Sequence, residues 1–541
     1  MAQHETSENM QQSYPDQFMQ SCLDHVHYPL NLIPQVTKAY PWELEELYNS
    51  FADVRRRLCF EEEQFVNFPI RDVHFYAGQG TDVQERSIRT LAQLEKLLGH
   101  VSTCRKPIAA GQQNMTPSCR FVYVHAADSR SRLRVTYDML TLVLTHYQVM
   151  PGYLEFLHAF GAQSDPKGQY FTGFYQHTTL GHNLQAPEMT DRSWRQYQMC
   201  YNLRAVTCSK GADGKVSGGS VRQAAINHQF DIVRGTAVWI VTKGRDDLLK
   251  RFDGLAKSLV AHSYDTPEHS FQTSLEVHLM FCRWSAEDWR RYIDWLEDGL
   301  ESNTSLALYG SRDSKLSRQT YEPIDLQKIQ MWKEKTSQAK TLLESNADVI
   351  AGLRGYYVEL LDNEDFPFRL ECRKSIQNFA ADIESNIIRI KMRVHRLDLL
   401  SEIISDRKDL VAQHFQNQVA ERTEQLNHNL EKEAIVMRII TIVTLVYLPA
   451  TFVSTFFSTD VVHYQASGDS GSETSYSHLA MMRWLQVTLP LTFVTILGAW
   501  MAFKTATISR KGTEMKNNLI ERKDNMKTTW EFSKDIELGK L

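Results

Sequence analysis

Apolar residues concentrate in two uncharged stretches near the C-terminal end of the chain, Ile439 to Phe457 and Trp484 to Phe503. Each has about the 20 residues with which an α-helix spans the hydrocarbon core of a bilayer. No upstream stretch approaches this length, and the mean hydropathy of the whole chain is −0.39. We therefore predict a water-facing body followed by two spans, at 438–458 and 484–503, which excludes a transporter with many spans.

A long helical pattern precedes the first span, over residues 325–437. Glycine and proline are absent between Phe379 and Tyr447, which predicts one continuous helix that enters the span. Apolar residues follow the 3-4 spacing of a core seam, with polar gaps at Ser401 and Lys408. They are Ile383, Ile387, Ile390, Val394, Leu397, Ile404, Val411 and Phe415. A stalk of this kind fits a helical connection to the membrane, but an antiparallel hairpin or coiled coil that acts only as a spacer fits equally well.

Residues 117–310 combine strand and helix patterns and predict an α+β domain. Strand patterns occupy Arg120–His125, Gln198–Cys208, Ala224–Ile232 and Ala237–Thr242, where Val, Ile, Tyr and Phe are frequent. The Gly- and Ser-rich run Ser209–Ser220 predicts a loop, and Val233–Thr236 predicts a turn. Helix patterns occupy Tyr137–Phe160, Asp246–His262 and Ala286–Glu301, the last with Ser285 as its N-cap and Asp288 three residues later.

The first 116 residues are expected to form a separate, partly disordered leader with helices at Trp42–Phe60 and Glu85–Leu98. The start is polar and has no basic residue before Lys38, which argues against a secretory signal or a transit peptide. Plasma membrane, or a vacuolar or other secretory-pathway membrane, is therefore expected rather than mitochondria.

Charge predicts the orientation in the membrane. The tail 504–541 is basic, and Arg422, Lys432 and Arg438 precede the first span, whereas the outer loop 459–483 has only Arg483. Because basic flanks stay on the cytoplasmic side, both termini are expected there. All eight cysteines lie upstream of the spans without a C-x-x-C pair, as is usual for reduced thiols. The net charge of −5 gives no indication of nucleic-acid binding.

Polar residues of the first span fall on one side of the predicted helix. Thr441, Thr444, Thr451, Thr455 and Ser458 recur at helical spacing, with Leu448 filling the gap. Such stripes usually face other helices or a water-filled path. The alternative is that the hydroxyls bond only to their own backbone and allow close helix packing.

The run Tyr447–Phe457 resembles the pore helix of CorA-type magnesium transporters, which follows a long cytosolic helix and precedes one more span. The soluble region is similar to fungal CorA-like membrane proteins in particular, at Ser129–Ser131, His146–Pro151 and Asp325–Gln330. The resemblance covers roughly Cys119 to Lys511 and leaves the leader outside. It implies a homo-oligomer, expected to be a pentamer, that passes Mg²⁺ or another divalent cation down the membrane potential without a cofactor.

One part of the family pattern is replaced. With Pro449 as anchor, the Gly-Met-Asn signature corresponds to Ser458, Thr459 and Asp460. The resemblance makes this the pore mouth and Asp460 the cation ligand, so that several carboxylates would attract divalent cations and repel one another. The simpler alternative places Asp460 in an exposed loop. The outer loop also has Asp469 and Glu473.

The resemblance also assigns pore-lining positions. Met437, Leu448 and Thr451 match residues that line the family's pore, with Leu448 as an apolar constriction. Thr441, Thr444, Thr455 and Ser458 join them by helical phase. Pro449 is expected to kink or loosen the helix there.

No enzyme motif is present: the chain lacks a phosphate-binding Gly loop, a G-x-S-x-G elbow and H-E-x-x-H. His125, His146 and His278 are expected to be structural. In the family, acidic residues of the cytosolic domain bind magnesium, but Asp246, Asp247 and Asp253 are no better candidates than any solvated helix face. Two functions remain: a divalent-cation channel, with lipid, cations and copies of itself as partners, or a non-conducting, membrane-anchored homologue that binds a cytosolic partner.

Overall fold

The computed structural model describes residues 14–34, 39–76, 80–99, 117–128, 130–163, 170–181, 193, 195–212, 214–245, 247–258, 264–309, 320–458, 481–501 and 504–505. The chain divides into two compact units, Met1–Phe415 and Gln416–Leu541.

The first unit is built on a sheet of nine strands. They are β1 Cys59–Phe60, β2 Phe68–Tyr76, β3 Gly80–Ile88, β4 Cys119–Ala126, β5 Leu133–Thr136, β6 Phe174–Thr179, β7 Gln196–Lys210, β8 Val216–Asp231 and β9 Thr236–Gly244. The order along the sheet is β1-β5-β4-β9-β8-β7-β6, and β2 pairs with both β3 and β4. β4 and β9 are parallel, whereas β7, β8 and β9 form an antiparallel meander.

Eleven α-helices complete the described part of the chain. They are α1 Tyr14–Leu23, α2 Pro41–Leu58, α3 Leu91–Leu98, α4 Tyr137–His146, α5 Tyr153–Leu157, α6 Asp247–Ser258, α7 Pro267–Ser285, α8 Trp289–Tyr309, α9 Pro323–Glu359, α10 Arg373–Ser458 and α11 Met481–Met501. The architecture is an α+β domain, two long helices and a final apolar helix.

The sheet has an apolar core on each face, because alternate strand residues point to opposite sides. Phe121 and Tyr123 of β4 belong to the core that includes α7 to α10. Val122 and Val124 belong to the other core, formed with α2, α4 and α5. Most of these side chains are fully buried, so the sheet is a rigid support for the long helices.

The long helices α9 and α10 pack as an antiparallel hairpin in constant register. Arg354 contacts Glu384 at 3.5 Å, and Lys340 contacts Asp398 at 2.6 Å. Further along, Gln330 Oε1 accepts a hydrogen bond from Lys408 at 2.9 Å. From one contact to the next, the residue number falls along α9 by as much as it rises along α10. The prediction of one uninterrupted helix from Phe379 past Tyr447 is confirmed by α10.

The prediction that the first 116 residues form a separate leader is wrong. β2 and β3, which lie within it, pair with β4 and extend the domain sheet. The helix expected at Glu85–Leu98 is also wrong at its start, because β3 continues to Ile88. α3 begins only at Leu91, where Thr90 Oγ1 accepts a hydrogen bond from the N–H of Gln93 at 3.3 Å.

Three other expected elements differ. The Gly- and Ser-rich run Ser209–Ser220 is mostly paired strand, because β7 continues to Lys210 and β8 begins at Val216. The expected helix Tyr137–Phe160 ends at His146, and Gln148 adopts a positive φ of 46°. The expected N-cap Ser285 instead ends α7, and its hydroxyl donates to the carbonyl of Cys282 at 2.8 Å. The turn at Val233–Thr236 is confirmed.

Candidate cation path along the first apolar span

Two helices near the C-terminal end, α10 and α11, are long and apolar enough to cross a membrane by length and composition. In a single chain their apolar windows are only 6 % buried. Leu448, for example, is 69 % exposed, whereas Val453 is 3 % exposed. An exposed apolar surface of this size is typical of contact with a membrane or with another protein.

All seven predicted pore-lining residues lie on α10 within one helical stripe. They are Met437, Thr441, Thr444, Leu448, Thr451, Thr455 and Ser458. At roughly 100° per residue, they fall within about 60° on either side of one line along the helix.

The hydroxyls of this stripe donate to carbonyls of their own helix. Thr441 donates to Met437 at 2.7 Å, Thr451 to Tyr447 at 3.1 Å and Thr455 to Thr451 at 2.9 Å. Thr444 and Ser458 make equivalent bonds. This is the backbone bonding that the alternative interpretation expects. This bonding does not exclude a cation path along the stripe, because each hydroxyl oxygen keeps lone pairs that can accept a hydrogen bond or face a cation.

Pro449 lies inside α10, and the helix continues through it to Ser458. The proline ring has no N–H and cannot donate to the carbonyl of Leu445. Beside the apolar side chain of Leu448, this position therefore lacks one bond of the helical ladder, although the helix is not interrupted.

A second threonine stripe lies on α11 and was not predicted. Thr488 donates to Trp484 at 2.7 Å, Thr492 to Thr488 at 2.6 Å, and Thr495 to Thr492 at 2.9 Å. The spacing of four and three residues is visible in the sequence and could have revealed this stripe. The two helices are also joined by a hydrogen bond of 3.0 Å from the indole N–H of Trp484 to Ser454 Oγ.

Between α10 and α11 lies an open groove of about 480 Å³. It is lined by Leu448, Pro449, Thr451, Phe452, Thr455, Leu491 and Thr495. The groove therefore combines two threonines of the first stripe with one of the second, in a mostly apolar setting.

Thr459 and Asp460, the remaining residues of the expected pore mouth, lie outside the described residues, as does the loop to 480. The expected metal ligand Asp460 thus stays a prediction.

The cytosolic acidic candidates that the structure describes are paired with cations. Asp247 contacts Lys243, and Asp253 contacts Arg71. Asp246 lies outside the described residues. Within the described ranges, no group of three or more His, Cys, Asp or Glu side chains could hold a metal ion.

Two histidines lie in the aromatic core of the first unit. His228 stacks on Trp239 with ring centroids 3.8 Å apart, and its ring lies 4.9 Å from that of His278. His278 Nδ1 is 2.7 Å from the hydroxyl of Tyr201, in agreement with a structural role. Burial lowers the pKa of His228 to about 3 and lowers the pKa of His278 well below its usual value. Both rings are therefore neutral at physiological pH.

A family model described as CorA-like transporters matches residues 20–308, just over half of the chain. The chain belongs to the CorA-like family. The match starts inside the expected leader, so the expectation that the leader lies outside the resemblance is wrong. It ends before α9, and the match itself does not include the spans.

Among solved structures, the chain is similar to the complete CorA magnesium transporter from Methanocaldococcus jannaschii, with 11% identity and a TM-score of 0.33. That alignment covers 81% of this chain and 98% of that one. Full-length CmaX has 12% identity, a TM-score of 0.28 and coverages of 81% and 97%. The soluble domain of the same archaeal CorA has 11% identity, a TM-score of 0.29 and coverages of 56% and 92%. No curated protein sequence matches the chain.

Proposed function

We propose that the protein is a homo-oligomeric channel through which Mg²⁺ or another divalent cation moves passively, driven by the membrane potential. The main support is the stripe on α10, where Thr451, Thr455 and their equivalents expose hydroxyl oxygens whose protons are bonded to the backbone. Oxygen is the ligand that hard divalent cations prefer, and a wall that presents acceptors suits a hydrated cation rather than an anion.

A single helix cannot enclose a path, so the stripe needs copies of itself around an axis. The phase of the stripe supports this arrangement, because it continues below the span along exposed Val419, Leu426 and Leu430. These residues repeat at steps of seven and four, like the seam of a parallel helix bundle. We propose a homopentamer with Leu448 as an apolar ring and Thr451 as the next ring toward the mouth.

A second apolar surface supports association of copies through the stalk. Ile388, Met392, Leu399 and Ile403 are exposed in the single chain. They lie on the side of α10 opposite the buried residues Ile387, Ile390, Leu397 and Ile404. An apolar stripe on the outer side of a charged helix indicates that something covers it.

The orientation follows from charge. Basic residues flank both spans on the side of the chain ends, whereas the segment between the spans has only Arg483. We propose that both termini face the cytoplasm. Asp460 then lies at the outer mouth of the path, and lipid surrounds the outer faces of both helices.

The experiment is divalent-cation flux into proteoliposomes that contain the purified oligomer, under an inside-negative potential. Mg²⁺, Mn²⁺, Ni²⁺ and Co²⁺ are compared, first with wild type and then with Asp460→Ala. Asp469→Ala removes a carboxylate from the same loop and is the matched control. We expect flux in wild type and in Asp469→Ala, and a clear reduction in Asp460→Ala because the mouth loses its charge.

The alternative function, a non-conducting membrane-anchored homologue, is favoured by the replacement of Gly-Met-Asn with Ser458-Thr459-Asp460. It predicts no flux of any of the four ions from a verified oligomer. A monomer or dimer in mild detergent would also favour it, since neither encloses a central path.

A further inference from the structure

The two apolar helices α10 and α11 run antiparallel, and one hydrogen bond between them fixes their register. The indole N–H of Trp484 on α11 donates to Ser454 Oγ on α10 at 3.0 Å. The groove between the helices is lined by Leu491, which follows Trp484 in the sequence, and by Leu448, which precedes Ser454. Each step away from this bond toward the stalk therefore raises the residue number on α11 and lowers it on α10.

This register places basic and aromatic residues of both helices at one level, at the end nearest the stalk. Trp500 follows Trp484 by 16 residues, and Arg438 precedes Ser454 by the same number. Lys504 lies close to them, with its Nζ 4.9 Å from the centre of the Trp500 ring. Tryptophan, lysine and arginine are the residues that anchor a span where hydrocarbon meets the headgroups. This level is therefore suited to one boundary of the hydrocarbon.

A basic residue beside a tryptophan also marks the opposite end of the two helices. Arg483 comes directly before Trp484, and neither helix has a charged residue between this level and that of Trp500. Because the N–H of Trp484 is bonded within the protein, the charge of Arg483 rather than the indole sets this boundary. Although α10 continues for one more turn beyond Ser454, α11 is the helix that carries the charge here.

The charge-free layer between the two levels is short. Sixteen residues of helix, at about 1.5 Å each, span about 24 Å, whereas the hydrocarbon core of a typical bilayer is about 30 Å thick. Tilting the helices would make the layer thinner still, so tilt cannot remove the difference. Extending the side chains of Arg483 and Arg438 toward water would relieve part of it, at a cost in side-chain freedom. A bilayer that is itself thin requires neither adjustment.

We infer that the two apolar helices fit a bilayer with a hydrocarbon core of about 24–27 Å. The protein then favours a thin membrane, such as that of the endoplasmic reticulum at about 27 Å, over a plasma membrane of about 32–33 Å. The inference rests on the proposed membrane topology but not on the conduction of a cation. It selects the thin membranes among those that the sequence leaves open.

The first test measures which bilayer the whole protein binds best. Purified protein is reconstituted in monounsaturated phosphatidylcholines of increasing chain length, whose hydrocarbon cores extend from below to above about 30 Å. A brominated lipid of each length competes with an ordinary reference lipid, and quenching of the fluorescence of Trp484 and Trp500 gives the relative binding constant. We expect the tightest binding at a core of about 24–27 Å. An optimum at about 30 Å or above would overturn the inference.

Two variants of Arg483 test the boundary itself. Arg483→Leu removes the charge, so the charge-free layer gains about one helical turn, up to Ser458. The binding optimum should then shift to cores thicker by about 5 Å. Arg483→Lys keeps the charge and should retain the wild-type optimum. Equal optima for the two variants would overturn the assigned boundary and, with it, the inferred thickness.

The outcomes separate this inference from the proposed channel, because the binding optimum is measured without an ion gradient. An optimum at about 24–27 Å without cation flux from a verified oligomer rejects the channel and retains the inference. Cation flux together with an optimum at about 30 Å or above retains the channel and rejects the inference. If Arg483→Leu does not insert, the wild-type optimum alone decides.

Discussion

The indole N–H of Trp484 donates a hydrogen bond of 3.0 Å to the hydroxyl of Ser454 and so joins the two apolar helices α10 and α11. Interhelical hydrogen bonds in membranes contribute about 0.6 kcal/mol on average, with a maximum of about 1.7 kcal/mol. Val453, the residue before Ser454 in the sequence, is only 3 % exposed. The bond therefore adds to packing rather than replacing it.

Trp484→Phe removes the N–H donor and keeps an aromatic ring. We expect a loss of roughly 0.6 kcal/mol in the stability of the purified protein in detergent, measured by thermal unfolding. Ser454→Ala should cost about the same, and the double variant should cost little more than either single one. Fully additive losses would show that the two residues do not interact.

Gly299 is needed where α8 meets α9. A Cβ at this position would lie 2.5 Å from Cζ2 of Trp332. Gly299→Ala should therefore lower the free energy of unfolding by about 1–3 kcal/mol, the usual cost of overpacking. Gly355→Ala, within α9, is the control because nothing lies within 4 Å of its added Cβ. It should be neutral or stabilise by up to about 1 kcal/mol, since alanine favours helix.

Arg204 is a fully buried arginine on β7. Its Nη2 donates to the carbonyl of Phe171, whereas Nε and Nη1 have no hydrogen-bond partner among the residues that the structure describes. Burial lowers its pKa to about 10. Because a buried charge without a carboxylate is costly, Arg204→Met should leave the free energy of unfolding unchanged or raise it.

The measurement for Arg204→Met is denaturant unfolding followed by tryptophan fluorescence. Asn346→Ala is the contrasting variant, because its amide accepts from the N–H of Arg204 at 3.0 Å and donates to the carbonyl of Arg204 at 2.6 Å. Asn346→Ala should lower the free energy of unfolding by about 1–3 kcal/mol, as expected when buried backbone groups lose their partners. A clear decrease in the free energy of unfolding of Arg204→Met would contradict the prediction.

Acid should destabilise the first unit through His228. The folded pKa is about 3 and the unfolded value is about 6.5, so between these values the unfolded chain binds a proton that the folded chain does not. Stability is therefore unaffected above about pH 6.5 and falls below it, by up to about 1.4 kcal/mol per pH unit for this histidine. His228→Phe keeps the stacking on Trp239 and should make the dependence between pH 6.5 and 5 shallower by this amount. An unchanged slope would exclude His228 as the source.

The sequence was most informative where periodicity acts over many residues. The long helix α10 was predicted from the absence of glycine and proline between Phe379 and Tyr447, and its apolar seam from the spacing of Ile383 to Phe415. The same spacing identified the stripe that contains Leu448 and Thr451. Local propensity was weaker: Ser209–Ser220 was interpreted as a loop, yet cross-strand pairing holds most of it in β7 and β8.

Long-range pairing explains what the sequence did not predict. The segment from Phe68 to Ile88 lies far from β4 in sequence, so nothing local indicates that it joins the same sheet. The position of Thr495 beside Thr451 depends likewise on how two helices pack, which spacing within one helix does not determine. His278 was expected to be structural, but its contact with His228 could not be predicted, because it depends on burial among aromatic rings.

Every threonine hydroxyl of the first span donates its proton to a carbonyl of its own helix. This bonding affects how the proposed path would discriminate among ions. A wall of neutral acceptor oxygens repels anions without holding any cation tightly, so residence along the proposed path is short and release is easy. Such a wall cannot distinguish one divalent metal ion from another by charge, because all of them carry the same charge. Preference among them would then depend on how firmly each keeps its water shell as it passes the apolar ring at Leu448.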